Sequence, residues 1–252
     1  MKENTRRSFL QGTLALGAAA ALPLNLQAAH KPDKLRLPEG ARILFQGDSI
    51  TDGGRSRNDD WNHVMGHGYA YLLASRLCFD YPEKNYHFFN RGISGNTVPD
   101  LLNRWEKDTL ELKPDILSIL VGVNDASAAV DNKPGFDADT YDKKYRSLLD
   151  LTRKNLPETR LVICEPFILP VGKIKTQWAK WQDEIQKQQQ VAKELAKEYN
   201  CAFVPFQSHF DKALKRAPED FWMWDGVHPM PAGHELMARV WLKEVSNQII
   251  KH

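Results

Sequence analysis

Five short apolar segments recur along the chain and constrain its fold more than any other feature. They cover residues 41–46, 86–90, 116–121, 160–164 and 201–205. None of them alternates strictly between apolar and polar residues, and this is the pattern of strands that are buried on both faces of a parallel sheet. The segments therefore predict five strands in one mainly parallel sheet.

Segments with helical periodicity fill the gaps between these strands. They cover residues 69–77, 99–112, 139–156, 176–199 and 231–250. Strands that alternate with helices predict an α/β protein, a three-layer α/β/α sandwich around a single five-stranded sheet. In such folds the ligand site lies at the carboxyl ends of the strands, so the residues that follow each strand are the candidates for chemistry.

The first 29 residues have the pattern of an export signal. Arg6 and Arg7 precede an apolar run over residues 14–26, and the small residues Ala28 and Ala29 follow it. The run is short for a membrane-spanning helix, and its flanks are those of a signal peptide. The arginine pair resembles a twin-arginine signal, and a general secretory signal with two incidental arginines is the alternative. We predict export to the periplasm or medium and no stable membrane anchor.

The rest of the chain, residues 30–252, is predicted to form one domain. It carries no net charge. The formal charge of +2 comes entirely from the export segment. Nucleic-acid-binding proteins usually carry a basic excess, so we predict no nucleic-acid partner. Cys78, Cys164 and Cys201 are too few and too far apart for a disulfide framework, although one pair among them stays open. The oligomeric state is not encoded in any of these patterns.

Three strand ends carry polar residues with catalytic potential. The first strand leads into Gly-Asp-Ser at residues 47–49, which can present a serine hydroxyl above the sheet. The second leads into residues 90–97, where two glycines let the backbone turn sharply and expose N–H groups. The third leads into Gly-Val-Asn-Asp at residues 122–125, whose amide can donate to the same point. Each of these three polar groups can instead be an ordinary turn or helix cap without a catalytic role.

A fourth polar group comes late in the chain, at residues 225–229, which read Asp-Gly-Val-His-Pro. His228 is suited to general-base catalysis near neutral pH. Asp225 precedes it by three residues and can reach round a turn to orient its ring. The order serine, aspartate, histidine is that of α/β hydrolases, but the Gly-X-Ser-X-Gly elbow of those enzymes is missing. An ordinary α/β hydrolase is therefore disfavoured.

Taken together, the four groups resemble the motifs of the SGNH hydrolase superfamily, the GDSL-type esterases. They occur in the expected order and span residues 47–228. The departure is Ile50, where the family pattern has leucine, and this exchange of apolar residues leaves the chemistry untouched. The resemblance implies the flavodoxin-like SGNH fold, an ester hydrolase of the carbohydrate acetylesterase-like branch, and a reaction that needs no metal or other cofactor.

The resemblance also implies a role for each motif residue. Ser49 is expected to be the nucleophile, His228 its base, and Asp225 the residue that orients His228. The oxyanion hole is expected to consist of the backbone N–H groups of Ser49 and Gly95 and the side chain of Asn124.

Four further residues are candidate substrate contacts. Asp48 adjoins the nucleophile, and Arg55 can meet an anionic group on a substrate. Trp222 and Trp224 precede Asp225 and can offer flat faces to sugar rings. The alternative for Arg55 is a solvated surface charge, and the alternative for either tryptophan is a place in the core.

A metal site is the less favoured interpretation of His63 and His67, which with Asp59 or Asp60 could form a ligand set. Glycines interrupt this stretch, so a regular helix is not expected, and the His-Glu-x-x-His pattern of zinc hydrolases is missing. We predict instead a loop that shapes the substrate pocket, without a metal.

The function predicted from these patterns is that of an exported serine esterase. Its substrate is expected to be a short-chain ester, an O-acetyl group on a carbohydrate, carried by a small molecule or a polysaccharide. A lysophospholipase or thioesterase of the same superfamily is the alternative, but no continuous apolar stretch indicates the long groove that it needs. A non-catalytic glycan-binding module is the third hypothesis, and the complete set of motif residues argues against it.

Overall fold

Five parallel strands form the sheet that the apolar segments predict. They are β1 (Arg42–Gly47), β2 (His87–Asn90), β3 (Ile116–Leu120), β4 (Arg160–Cys164) and β5 (Ala202–Val204). Their order in the sheet is β2-β1-β3-β4-β5, and every neighbouring pair is parallel. The predicted bounds agree with the observed ones to within one residue at each end.

The structure, a computed structural model, describes residues 35, 37–58, 60 and 62–249, all of which belong to the unit Asp33–His252. The predicted export signal and the domain boundary at residue 30 lie outside the described residues. Within the described part of the chain, no helix is long and apolar enough to cross a membrane.

Nine α-helices occur in the described residues. They are α1 (Ser49–Asp52), α2 (Tyr69–Asp80), α3 (Val98–Asn103), α4 (Val123–Val130), α5 (Ala138–Asn155), α6 (Trp178–Glu198), α7 (Phe206–Ala213), α8 (Glu219–Trp222) and α9 (Pro231–Ile249). The single helix predicted over 99–112 is wrong in part, because α3 ends before Arg104 and a π-helical turn follows at Glu106–Leu110. The Ala-rich helix α4 was not predicted, and it places Asn124 in a helical first turn.

Successive side chains of each strand point into two different cores. Ile43 and Phe45 of β1 pack in a core with α2, α7 and α9, whereas Leu44 packs in the opposite core with α3, α5 and α6. Each such side chain stabilises the fold by about 1.5–3 kcal/mol when it is fully buried. Because both faces of the sheet carry helices, the predicted three-layer α/β/α architecture is confirmed.

The strand order determines where a ligand can bind. The chain passes from β1 outward to the edge strand β2 and then returns across β1 to β3. The connections therefore change direction between β1 and β3, and open α/β sheets bind ligands at this switch point, beyond the carboxyl ends of the strands. Three of the four sequence motifs follow these three strands.

The cysteines do not cross-link the fold. Cys164 is buried in β4, Cys201 is half-buried and Cys78 is exposed, and all three are free. The disulfide that the sequence left open is therefore not formed.

Candidate active site

Ser49 opens α1 directly at the carboxyl end of β1. Gly47, the last residue of β1, pairs with Leu120 at the end of β3. Asp48 caps α1, because its side chain accepts a hydrogen bond from the N–H of Ile50 at 3.0 Å. The Gly-Asp-Ser sequence thus turns the chain from strand to helix and leaves the serine at the edge of the sheet.

A chain of hydrogen bonds joins Ser49 to His228 and Asp225. Oγ of Ser49 lies 2.8 Å from Nε2 of His228, and Nδ1 of His228 lies 2.8 Å from Oδ2 of Asp225. A carboxylate can only accept, so Nδ1 carries the ring proton and Nε2 is free to accept from the serine hydroxyl. The arrangement can therefore move the serine proton to His228.

The carboxylate of Asp225 is held in its charged form. Burial raises its pKa, but hydrogen bonds from the N–H groups of His228 and Val227 and from the His228 ring outweigh burial and lower the pKa below its ordinary value. The ammonium group of Lys173, 3.8 Å from Oδ2, adds a favourable charge. Asp225 can therefore stabilise a positively charged His228 ring.

The predicted oxyanion donors come from the ends of three adjacent strands. Within the described part of the chain, the N–H groups of Ser49 and Gly95 have no acceptor. Gly95 has a φ of +85°, a conformation that favours glycine. Asn124 donates from Nδ2 to the carbonyl of Asn96 at 3.0 Å and keeps a second amide hydrogen. This bond ties the loop after β3 to the loop after β2.

The loop after β2 is held tightly against α1. A Cβ atom at Gly92 would lie 2.3 Å from the backbone nitrogen of Asp52, so only glycine fits there. The side chain of Asp52 accepts a hydrogen bond from the N–H of Ser94 at 3.1 Å. These contacts position Gly95 relative to Ser49.

A pocket of about 300 Å³ lies at Ser49 and His228. Trp224 forms part of its wall, with its ring 6.0 Å from the His228 ring and inclined by 28°. Trp224 is 62% exposed, so the ring offers a flat apolar surface to a substrate. The other wall residues are Ile50, Gly53, Gly54, His67, Ser94, Pro229 and His234.

His234 is a wall residue that the sequence patterns did not single out as functional. Its Nδ1 accepts a hydrogen bond from the N–H of Tyr69 at 3.2 Å, so the ring proton lies on Nε2. Burial, together with the nearby His67 and His228, lowers its pKa to about 4, and the ring is neutral at neutral pH. No motif surrounds His234, and the packing of α9 against α2 brings it to the pocket.

The structure corrects two of the predicted substrate contacts. Asp48 is 1% exposed and Trp222 is 4% exposed, so neither side chain reaches a substrate. Asp48 lies beneath Ser49 as the cap of α1. Trp222 packs in the core, and its Nε1–H donates to the carbonyl of Ala217 at 3.2 Å. Adjacency in sequence to a site residue does not determine the direction of a side chain.

Arg55 lines a second cavity rather than the pocket at Ser49. It follows Gly54 of the pocket wall, and its Nε–H donates to the carbonyl of Gly92 at 2.9 Å. Contact between Arg55 and a substrate stays a prediction.

The described residues of the alternative metal interpretation do not form a ligand set. His63 contacts Asp60, with Nδ1 2.5 Å from Oδ2, on the surface. His67 lies in the pocket wall, and Asp59 is outside the described residues. Among the residues that are described, no group of three or more His, Cys, Asp or Glu could hold a metal ion.

Asn124→Ala is expected to fold and to lose about 100- to 1,000-fold in kcat, because one donor to the developing oxyanion is removed. The measurement is the hydrolysis of an activated acetate ester, with circular dichroism to check the fold. Asn124→Asp is the matched variant: it keeps the size of the side chain but replaces the donor with an acceptor, and it should be equally impaired. Near-normal hydrolysis by Asn124→Ala would rule out this role.

Two buried carboxyl groups lie beneath the site, at Asp48 and Asp125. Oδ2 of each has no partner within the described part of the structure. Burial raises the pKa of each group to about 7, and the charge of Asp125 adds to the rise at Asp48. Each is therefore partly protonated at neutral pH.

The free energy of unfolding should fall as the pH rises from about 4 to about 8, and the ionisation of Asp48 should account for part of the fall. The unfolded chain releases this proton near its ordinary pKa of 3.8, whereas the folded chain keeps it until about 7. This difference of about three pKa units corresponds to about 4 kcal/mol in the free energy of unfolding. Asp48→Asn should flatten the fall, as measured by urea midpoints at mildly acidic and mildly alkaline pH. Asp131→Asn, at an exposed position, is the control and should show the wild-type fall. If the urea midpoint fell equally in the wild type and in Asp48→Asn, the prediction would be contradicted.

Two family models match the chain. The GDSL-like Lipase/Acylhydrolase family matches residues 45–236. The twin-arginine translocation pathway signal sequence matches residues 3–23, which indicates export across the membrane. Of the two export routes that the sequence left open, this match favours the twin-arginine route.

Relatives and solved structures cover most of the chain. An acetylxylan esterase of Geobacillus stearothermophilus is 34% identical over 223 residues, which is 86% of this chain and 99% of the relative. The structure of Axe2, an acetylxylan esterase from the same organism, has a TM-score of 0.74 at 35% identity and covers 84% of this chain and 96% of its own. A structure from Parabacteroides merdae is described as a putative GDSL-like lipase. It has a TM-score of 0.78 at 41% identity, and the match covers 83% of this chain and 97% of that one.

Catalytic mutants of Axe2 carry alanine in place of a serine, an aspartate or a histidine. The serine and the histidine of Axe2 are 179 positions apart, which is also the separation of Ser49 and His228. The aspartate precedes the histidine by 3 positions, as Asp225 precedes His228.

Proposed function

The chain belongs to the GDSL-like lipase/acylhydrolase family, and from that membership we propose that it removes acetyl groups from carbohydrate esters. It is a carboxylic ester hydrolase. The observation that carries the proposal is the hydrogen-bonded chain from Ser49 through His228 to Asp225, at the switch point of the sheet. The equal spacing of the serine, aspartate and histidine in Axe2 supports the same assignment.

The first half of the reaction transfers the acetyl group to the enzyme. Oγ of Ser49 attacks the ester carbonyl carbon while its proton passes to Nε2 of His228. The negative charge that develops on the carbonyl oxygen is stabilised by the N–H groups of Ser49 and Gly95 and by the amide of Asn124. The bond to the sugar oxygen then breaks, and His228 returns the proton to that oxygen.

The second half releases acetate. A water molecule gives a proton to His228 and attacks the acetyl carbon, and the same donors stabilise the second tetrahedral intermediate. The bond to Oγ then breaks, acetate leaves, and Ser49 recovers its proton from His228. Asp225 holds the ring in one tautomer throughout and stabilises its positive charge in both halves.

The size and lining of the pocket support a small acyl group beside a sugar. A volume of about 300 Å³ is at the lower end for ligand pockets and suits an acetyl group with part of a sugar. Trp224 supplies an exposed ring on which a sugar can pack. The acetylxylan esterase relatives, which match over nearly their whole length, favour an acetylated polysaccharide. The export signal is consistent with such a substrate, whether the enzyme remains in the periplasm or is secreted.

One observation favours a second candidate, a hydrolase of longer acyl chains such as a lysophospholipase or thioesterase. A cleft of about 450 Å³ adjoins the pocket at Ser49, since the two share His67, Trp224, Pro229 and His234, and it is large enough to hold a longer acyl chain. Its apolar lining consists of Leu72, Trp224, Pro229, Met230 and Pro231.

Acyl-chain preference decides between the two candidates. We expect acetate release from acetylated xylo-oligosaccharides, and faster hydrolysis of activated acetyl esters than of octanoyl esters. A clear preference for octanoyl or longer chains would overturn the proposal in favour of the second candidate. A serine-reactive fluorophosphonate should label Ser49, and absence of labelling would instead indicate a non-catalytic binding module.

A further inference from the structure

A second cavity, of about 550 Å³, lies beside the catalytic pocket at the edge strand β2. Its lining combines positive charge with apolar surface. Three arginines and three apolar side chains contribute, namely Arg55, Arg57, Arg91, Val64, Phe88 and Phe89. The motifs of the catalytic site do not account for this combination.

Only one of the three arginines has a carboxylate partner among the residues that the structure describes. Arg57 donates to both oxygens of Asp52, at 3.2 and 2.6 Å. Arg55 uses its Nε–H for the carbonyl of Gly92, and Arg91 makes one long contact with a backbone carbonyl at 3.5 Å. Among the described residues, the other guanidinium hydrogens of Arg55 and Arg91 have no acceptor, and they can bind a ligand.

The positive charge in the cavity exceeds the negative charge that faces it. Burial, together with the charges of Arg57 and Arg91, lowers the pKa of Arg55 to about 10, and the attraction of Asp52 and Asp108 offsets this only in part. An anion between Arg55 and Arg91 would relieve the repulsion. Planar guanidinium groups bind carboxylates through paired hydrogen bonds, so a carboxylate suits this site.

The apolar part of the lining indicates more than a bare anion. Phe88 and Phe89 are half-buried at the carboxyl end of β2, and the guanidinium of Arg42 packs over the Phe89 ring at 5.1 Å. Aromatic rings of this kind contact the apolar faces of sugars. A sugar acid uses both the rings and the arginines, whereas an inorganic anion uses only the arginines.

One short segment separates this cavity from the catalytic pocket. Gly53 and Gly54 line the pocket at Ser49, and Arg55, the next residue, lines the second cavity. Because Gly54 and Arg55 are consecutive in the chain, the walls of the two sites meet at this point.

We propose that the arginine cavity binds the carboxylate of a uronic acid unit on the same glycan that carries the ester. The proposal rests on the proposed function, because it takes the substrate at Ser49 to be a carbohydrate ester. Arg55 and Arg91 hold the carboxylate, and Phe88, whose ring is not the one that Arg42 covers, contacts the sugar ring. The cavity thus selects acidic, acetylated glycans over neutral ones.

Two acetylated xylo-oligosaccharides test the proposal: one with a glucuronic acid branch, and the same molecule with that carboxyl group reduced to an alcohol. We expect the wild-type KM to be about tenfold lower for the acidic substrate. Arg91→Gln should raise the KM of the acidic substrate about tenfold and leave kcat and the KM of the reduced substrate unchanged. Arg239→Gln, at an exposed position of α9, is the matched control and should retain the preference.

Binding to Ser49→Ala, measured by calorimetry, gives a readout that does not depend on turnover. The acidic glycan should bind about tenfold more tightly than the reduced one, and added salt should remove the difference. Equal affinities, or a preference that persists in Arg91→Gln, would overturn the inference even if acetate is released from both glycans. Failure to release acetate from either glycan would instead overturn the proposed function.

Discussion

Ser49→Ala should abolish ester hydrolysis, with kcat falling by about 10⁴-fold or more. Oγ of Ser49 is the only atom of this side chain that can form the acyl-enzyme, and it lies 2.8 Å from its proton acceptor on His228. Alanine fills nearly the same space, so the fold should be unchanged. The measurements are the release of acetate from an acetylated xylo-oligosaccharide and covalent labelling by a fluorophosphonate.

Ser147→Ala is the matched control for this variant. Ser147 is exposed on α5, and its hydroxyl donates to the carbonyl of Lys143 at 2.9 Å. Ser147→Ala should release acetate and react with the fluorophosphonate as the wild type does. If Ser49→Ala retained turnover and its label moved to another residue, Ser49 would not be the nucleophile.

Asp225→Asn should lower kcat by about 10⁴-fold while the protein stays folded. The amide oxygen can still accept from the N–H groups of Val227 and His228, which are 3.0 and 2.8 Å from Oδ1. The amide nitrogen, however, would donate to Nδ1 of His228. The ring proton would then move to Nε2, which could no longer accept the proton of Ser49.

Steady-state kinetics on an activated acetate ester, with thermal melting as a check of folding, measures this effect. Asp220→Asn, at an exposed position of α8, is the control and should match the wild type. If Asp225→Asn kept the wild-type kcat, His228 would not depend on this carboxylate for its tautomer.

The strands were predictable because their signal is local. Residues 116–120 are apolar except for Ser118 and do not alternate strictly, and both faces of β3 are buried in the structure. A helix boundary carries a weaker signal, because it depends on how individual residues pack. The pattern over residues 99–112 is helical throughout, yet the chain leaves the α-helix at Arg104 before buried Trp105.

Three of the four motif groups were predictable as neighbours, because the carboxyl ends of adjacent parallel strands meet at one edge of the sheet. Asp225 and His228 follow no strand, and their place beside Ser49 was expected from the family resemblance. Ser49 contacts His228, which contacts Asp225, and the bond from Asn124 to Asn96 joins the segments that follow β3 and β2. Their catalytic roles remain predictions that the variants above test.

Side-chain direction was not predictable at the same positions. Trp222 and Trp224 are two residues apart, yet Trp222 ends α8 and packs in the core, while Trp224 lies against His228 with its ring exposed. Asp48 adjoins Ser49 but points into the protein as a helix cap. In each case the local backbone conformation, which neighbouring segments stabilise, decides whether a side chain faces substrate or core.

The sequence by itself determined the fold class, the order of the motifs and the presence of an export signal, because periodicity and residue chemistry are properties of short segments. Only the tertiary structure decided that His234 borders the pocket through Tyr69, 165 residues away, and that Arg55 and Arg91 share a cavity. Burial and charge balance depend on which distant segments pack together, and no local pattern encodes those contacts.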